Sequence, residues 1–395
     1  MSASALQGAT KVVVALGVTQ TLAWASSYYI PAVLAVPMAR ELGLASSWVF
    51  GAFSAALVLS ALIAPWVGRV IDAKGGRAVL TVSNLVLAAG LALLAVAQGP
   101  VVMTAGWLVM GVGISMGLYD AAFATLAGLY GRAARGPITG ITLIAGFAST
   151  VGWPVSAVLE EVVGWRGACL AWAGLHIVLG LPLNRFLVPQ APPPEKSATV
   201  AEPDGPAPPR FAMPLLAVVF ATTWFVAGAM AAHLPVLLEA AGTAPAVAIA
   251  AGALIGPAQV GARVLEFSFL RRFHPLVSAR LATICHPLGA AALALFGGPA
   301  AAVFVVLHGM GNGVLTIAKG TLPLAVFGPV GYGARTGLIS APSRLLQATA
   351  PFLFGLVLEY GGVTPALWLT ASCCALAFVA LMLLRAVPSG AAKAA

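Results

Sequence analysis

Apolar runs of about 20 residues, separated by short polar or glycine- and proline-bearing breaks, recur from Val12 to Leu384. A helix of that length spans about 30 Å, the thickness of a bilayer's hydrocarbon core. Twelve runs can be drawn, over residues 12–38, 46–67, 78–97, 101–130, 138–162, 167–188, 212–238, 244–270, 276–297, 300–327, 336–358 and 364–384. Helices are the expected form, because strands that cross a bilayer are half as long and alternate strictly. One stretch, residues 189–210, breaks the pattern with Pro192-Pro193-Pro194, Pro208-Pro209, Glu195, Lys196, Glu202 and Asp204. Such a composition cannot bury a core and predicts a cytoplasmic linker. It divides the chain into residues 1–188 and 211–395, each a predicted bundle of six helices.

Composition agrees with a lipid environment: 61% of the 395 residues are hydrophobic and 8% charged, against about a quarter charged in soluble domains. The net charge of +9 raises nucleic-acid binding, but the basic residues form no single patch interleaved with aromatics. They report topology instead. With the N-terminus inside, Lys11, Arg69, Lys74, Arg77, Arg132, Arg135, Arg185, Lys196, Arg210, Arg271, Arg272, Arg280, Arg335, Arg385 and Lys393 all fall on the cytoplasmic side. Only Arg40 and Arg166 fall outside, so both termini are expected in the cytoplasm.

Cys169, Cys285, Cys373 and Cys374 lie in apolar runs without metal-ligand spacing and read as buried thiols. No metal site, cofactor or phosphate-binding GxxxxGK[ST] loop is expected, nor any nucleophile with its base, so the chain does not read as an enzyme. Ala23-Trp24-Ala25 has the look of a signal-peptidase site, but the apolar run continues past it, which predicts an uncleaved first span. Abundant Ala, Gly, Pro and Arg fit a high-GC bacterium and its inner membrane. A monomer is expected.

The halves resemble each other at an offset of a little under 200 residues. Arg69-Val70-Ile71-Asp72 matches Arg263-Val264-Leu265-Glu266, and Arg77 matches Arg271 five residues on. Gly111-Val112-Gly113 matches Gly309-Met310-Gly311, and Pro154 matches Pro351. The matches keep chain order, as a duplicated six-helix unit would.

The loop from Gly68 to Arg77 resembles the signature of the major facilitator superfamily, keeping its Gly68, Asp72, Gly75 and Arg77. Ala73 stands where the family often has a basic residue. Residues Gly152-Trp153-Pro154 through Gly164-Trp165-Arg166 are also similar to the family. The resemblance implies two pseudo-symmetric bundles that rock about one central site, lined by the first, fourth, seventh and tenth spans. Two departures weaken a drug-exporter assignment: Trp107 replaces the arginine of many exporters, and Val155-Ser156-Ala157 replaces the glycines of their fifth-span motif. Independently of the name, an acid at a helix end flanked by glycines and arginines can hold the opposite bundle. Gly68, Asp72, Gly75, Arg77, Arg263, Glu266 and Arg271 are therefore expected at a cytoplasmic gate, with Arg263 and Glu266 spaced to pair with each other.

A charge at mid-membrane costs roughly 2.5–3.5 kcal/mol even on a lenient scale and needs a partner. Asp120 stands twelve residues before Arg132, about 18 Å from that helix end. Lys319 falls one position from its repeat counterpart, and Arg344 lies nine residues past Arg335. An Asp120 pair with Lys319 or Arg344 across the bundles is the expected centre of a substrate site, completed by Tyr29, His233, Asn312 and Gln347. Asp120 and His233 are the groups expected to carry protons, while His176 and His286 read as packing residues. His308 and Asn312 share a helix face. Two deep cations against one acid predict proton-coupled secondary transport of a small organic anion of carboxylate type. The alternatives are efflux of drug-like or amphipathic compounds past the aromatic residues Trp24, Tyr28, Trp107 and Tyr119 and, remotely, a membrane solute sensor.

Overall fold

The computed structural model describes residues 3–191 and 209–384. Most of the predicted linker, with the charges of its centre, lies outside those residues, as do Arg385 and Lys393. The described chain is all helical, with no strand among the described residues. Its α-helices are α1 (Ala3–Ala25), α2 (Pro31–Glu41), α3 (Ser46–Lys74), α4 (Gly76–Ala95), α5 (Pro100–Gly117), α6 (Tyr119–Tyr130), α7 (Arg135–Ile144) and α8 (Ala148–Leu175) in the first half. The second half has α9 (Ala212–Ala240), α10 (Pro245–Gly252), α11 (Ile255–Ser268), α12 (Pro275–Phe296), α13 (Ala301–Phe327), α14 (Tyr332–Gly361) and α15 (Val363–Leu383). Eight stretches among the described residues are long and apolar enough to cross a membrane, and the molecule is a multi-pass membrane protein.

Several predicted spans are not single helices. The run 12–38 is split at residues 26–30, where Pro31 starts α2 with no N–H to give to α1. The hydroxyls of Ser26 and Ser27 donate to the carbonyls of Leu22 (2.7 Å) and Ala23 (2.5 Å) in the last turn of α1. The run 101–130 is split at Leu118, which is extended (φ −87°, ψ −172°). There the Gln20 amide donates to the Gly117 carbonyl at 2.6 Å, replacing a bond the helix no longer makes. The runs 138–162 and 244–270 are likewise interrupted, by a 3-10 turn at Ala145–Phe147 and by residues 253–254. Residues 148–175 form two helical segments that meet at a non-helical turn at Gly164 (φ 71°, ψ 169°), the second folding back so that Trp172 Nε1 donates to the Ser156 hydroxyl at 3.1 Å, and π-helical turns at His176–Gly180 and Leu183–Leu187 extend the second segment.

The repeat is visible in how glycines seat neighbouring helices. A side chain on Gly111 would strike the Ala56 carbonyl of α3, and one on Gly113 would strike Leu87 of α4. In the second half, one on Gly309 would strike Ile255 and Ala258 of α11, and one on Gly311 the Ala282 carbonyl of α12. Each pair lets one helix approach its two predecessors closely, in the same order in both halves.

The apolar cores follow the halves, with exceptions at the join. One cluster centres on Leu34, Met38, Leu91 and Trp107, and Ala348 of α14 packs against it. Another, around Leu16, Phe123 and Ile138, incorporates Leu324 of α13 and Tyr332 of α14. The second half carries its own clusters around Phe304 and Phe354 and around Phe220 and Leu322. Two cysteines are less enclosed than expected: Cys169 and Cys374 are buried, but Cys285 and Cys373 are half-buried, and all four are free thiols.

Candidate functional site

Asp120 stands in the first turn of α6, directly after the break at Leu118. It meets two cations from the other half: Lys319 Nζ of α13 lies 3.1 Å from its Oδ1, and Arg344 Nη2 of α14 lies 2.6 Å from its Oδ2. All three side chains are about nine-tenths buried. The start of α6 adds the positive end of a helix dipole beside the carboxylate. Arg344 Nη1 also donates to the Ser60 hydroxyl of α3, while the Lys319 ammonium lies 4.9 Å from the centre of the Trp224 ring of α9. One carboxylate thus balances two buried cations, and the cluster carries a net positive charge.

An aromatic wall adjoins it. Trp24 contacts Tyr28, Tyr29 and Tyr119 at ring distances of 5.2, 6.1 and 5.1 Å. Tyr119 stacks on Phe123, and Tyr29 meets Trp153 edge-on. Tyr28 accepts a 2.7 Å bond at its hydroxyl from Gln347 of α14, so the wall and the charge cluster share a helix. The indole nitrogens of Trp24 and Trp107 are buried without an acceptor.

The other predicted site residues separate. His233 Nε2 donates to the Pro351 carbonyl at 2.7 Å, which joins α9 to α14 within the second half and fixes the tautomer. Asn312 does share a face with His308, but the face looks into a cavity of about 20 Å³ with Thr223, His286 and Cys374, inside the second half. His286 and His308 meet there, Nδ1 to Nδ1, at 3.0 Å. His176 is held by Ser26 and Asn84 (2.7 and 2.8 Å), a packed histidine. Among the described residues no three metal-ligating side chains converge.

A second set of contacts joins the halves at the end that carries Asp72 and Arg335. Asp72 Oδ1 and Oδ2 accept from the backbone N–H groups of Gly333 and Ala334, each at 2.8 Å. An acid of α3 therefore closes the first turn of α14, where unpaired N–H groups and the dipole both favour a negative charge. The helices touch closely here: a side chain on Gly68 would collide with the Gly333 carbonyl, and one on Gly337 would come within 2.7 Å of the Ala64 carbonyl. Gly75 makes the turn after α3, and Arg77 donates to Gln190 at 2.7 Å.

The repeat counterpart of Asp72 makes the counterpart contact. Glu266 of α11 takes Arg135, at the start of α7, at 3.1 Å, and Arg135 also donates to the Phe273 carbonyl at 2.7 Å. The expected Arg263–Glu266 pair is therefore absent, because Arg135 occupies the acid. Arg263 turns elsewhere: it donates to the carbonyls of Thr142 (3.1 Å) and Gly313 (3.4 Å) and to the Gln259 side chain (3.4 Å). Arg271 packs over the Phe267 ring. Near Arg135, His274 is pushed below the usual imidazole range by burial first, then by the charges of Arg135 and Arg280.

At the opposite end, Glu41 accepts from Trp165 Nε1 (2.5 Å) and Arg166 Nε (2.8 Å), and Arg166 also bonds the Ala95 carbonyl. These bonds lower the Glu41 carboxyl below its ordinary value. Sequence reasoning missed Ser60 and Arg135. A lone serine in an apolar run carries no signal, and Arg135 reads simply as a topological charge.

Among solved structures the chain is similar to the human organic anion transporter MFSD10 (TETRAN), at 18% identity and a TM-score of 0.76, covering 95% of this chain and 99% of that one. It is also similar to FucP in the outward conformation, at 14% identity and a TM-score of 0.70, covering 94% and 98%. The proton:xylose symporter XylE bound to 6-bromo-6-deoxy-D-glucose aligns at 11% identity with a TM-score of 0.70, covering 94% and 93%. At such identities these likenesses define the fold alone. No curated protein matches the sequence. The family model described as Major Facilitator Superfamily matches residues 16–318, and its members are carriers rather than enzymes. The chain belongs to the Major Facilitator Superfamily.

Proposed function

We propose that the protein is a proton-coupled secondary transporter of a small organic anion, working by alternating access as a monomer in the inner membrane of a bacterium. In this reading, twelve spans form two six-helix bundles, residues 1–188 and 211–395, joined by a linker at 189–210, with both termini cytoplasmic. The carrying observation is the buried cluster of Asp120, Lys319 and Arg344, in which helices of both halves meet at a site with more positive than negative charge. An anion arriving there relieves the excess cation, and a proton on Asp120 releases Lys319 and Arg344. Either event weakens a link between the halves. Tyr29 and Gln347 complete the substrate site in this reading; His233 and Asn312, expected there from the sequence, lie apart from the cluster within the second half and are not part of it.

The gate is built from Gly68, Asp72, Gly75, Arg77, Arg263, Glu266 and Arg271, on the cytoplasmic side. Asp72 on the start of α14 and Glu266 on Arg135 at the start of α7 support a closed cytoplasmic face. MFSD10, an organic anion transporter by its title, agrees in cargo sign. A second reading, efflux of amphipathic compounds, is favoured by the wall of Trp24, Tyr28, Tyr29 and Tyr119.

Thermal stabilisation of the purified protein by a panel of mono- and dicarboxylates, lipophilic cations and neutral sugars separates the readings. Carboxylates alone should raise the melting temperature, and in proteoliposomes they should drive pH change across the membrane. Stabilisation by lipophilic cations alone would replace the first reading with the second.

A further inference from the structure

The end of the molecule where Asp72 and Glu266 join the halves carries a half-buried histidine, His274, at the start of α12. It is the N-cap residue of that helix: its backbone is extended (φ −63°, ψ 140°), Pro275 follows at the first helical position, and its Nδ1 accepts from the Leu276 N–H at 3.2 Å. A ring nitrogen can cap a helix only while it keeps its lone pair, so this bond selects the neutral ring with its proton on Nε2. Protonation turns Nδ1 into a donor that faces a donor. It also puts a positive charge at the end of a helix whose dipole is already positive.

The same residue touches the joint between the halves. Arg135 of α7 donates to the Phe273 carbonyl at 2.7 Å, and that carbonyl belongs to the peptide group whose nitrogen is that of His274. The other bond of Arg135 is longer: it reaches one Glu266 oxygen at 3.1 Å, while Glu266 Oε2 and Arg135 Nε stay buried without a partner. The loop before α12 is therefore a main handhold of the first half on the second. The charges around His274 are Arg135, Arg271 and Arg272 in the turn before it, and Arg280 further along α12. Glu266 is the one acid on α7, α11 and α12 among the described residues, and Arg135 holds it. Arg280 is tied to the carbonyls of Leu381 and Leu384 at 2.9 to 3.2 Å, within its own half. Arg135 is the neighbouring charge that leaves when the halves part.

Resting on the reading of this face as the gate, we infer that His274 is a proton-binding switch of that gate: a proton on its ring releases Arg135 from the loop before α12 and favours the arrangement in which this face is open. A proton binds the ring more tightly where Arg135 has withdrawn, so acid populates that arrangement, by about tenfold for each pKa unit between the two. In the closed arrangement the ring is held below its ordinary range by burial, then by Arg135 and Arg280. The shift therefore begins as pH falls below the ring's open-state value and is complete below the closed-state one. Acid on this side of the membrane acts on the gate without reaching Asp120.

The test uses the full-length protein with its native cysteines replaced and spin labels at Ala133→Cys and Ser268→Cys, both exposed and on opposite halves beside the contact. Double electron–electron resonance follows their separation from about pH 8 to about pH 5, the range in which histidine titrates. The labelled parent should show one short distance at the alkaline end, and its ratio of closed to open molecules should fall about 10-fold on acidification. His274→Asn keeps a capping oxygen and has nothing to titrate, so it should stay closed throughout. Arg135→Gln should be more open than the parent at every pH. On unlabelled wild type, the midpoint of deuterium exchange at the His274 ring C–H, read by peptide mass spectrometry, should lie below the ordinary 6.5 and rise in Arg135→Gln. An acid response as large in His274→Asn as in the parent, a parent that does not respond to pH, or a midpoint indifferent to Arg135 overturns the switch and leaves the gate standing. An Arg135→Gln protein as closed as the parent removes the gate reading at this contact, and the switch with it.

Discussion

Replacing Asp72 by alanine removes two charge-assisted bonds, to the N–H groups of Gly333 and Ala334, that exist only while α3 and α14 are together. A hydrogen bond to a charged group contributes about 1.5–3 kcal/mol. Asp72 is half-buried, so the lower figure applies to each bond, and the closed arrangement loses about 3 kcal/mol. At about 1.4 kcal/mol per decade, the ratio of closed to open molecules falls about 100-fold. Asparagine keeps one acceptor oxygen and no charge, so Asp72→Asn should fall between wild type and Asp72→Ala. Spin labels on cysteines at Lys74, exposed at the end of α3, and Val330, 81% exposed before α14, report the separation by double electron–electron resonance. The native cysteines are replaced first. Wild type should show one short distance, and Asp72→Ala a dominant longer one. Identical distance distributions in all three proteins would refute the account of Asp72 as a clamp.

Gly337→Leu should open the same face by steric force, because its side chain would enter the Ala64 carbonyl and Pro65 at a cost of about 1–3 kcal/mol; maleimide labelling of Ser60→Cys should then speed up, and an unchanged rate counts against the close contact. Asp120→Asn leaves Lys319 and Arg344 buried without an anion and should cost about 3–5 kcal/mol, seen as a lower melting temperature that adding Lys319→Met partly restores; a wild-type melting temperature for the single variant speaks against the cluster. Glu41 has its carboxyl lowered by Arg166 and Trp165, so its contribution is present above its ordinary value of 4.5 and lost as pH falls through the lowered one. Glu41→Gln should flatten that acid limb of the stability profile, and a limb of equal slope in both proteins excludes the contribution.

The cluster at Asp120 was legible because charge in an apolar run is costly, and depth can be counted from the basic residues at helix ends. Asp72 was legible as an acid between glycines, but its partners were not: they are backbone N–H groups, which every residue except proline has. The break at Leu118 left no trace in hydropathy, since no proline marks it and the compensating donor, Gln20, lies in another helix. Periodicity put His308 and Asn312 on one face without saying which neighbour that face meets. Arg263 and Glu266 have the spacing of a pair, yet Glu266 pairs across the halves, because Arg135 arrives from α7 and a local pattern cannot report it.

The two acid contacts that join the halves differ in what an amino-acid change can reach. Glu266 depends on Arg135, so loss of either side chain ends that contact, and a lineage can retune it through two codons. Asp72 bonds to backbone N–H groups that few changes at residues 333 and 334 can remove. Drift in α14 can disturb this contact through the bulk of a new side chain, but it cannot easily delete the donors. Heritable variation in how firmly the two faces meet should therefore accumulate at Arg135 and Glu266, while the contact on α14 changes through Asp72 or the glycines beside it.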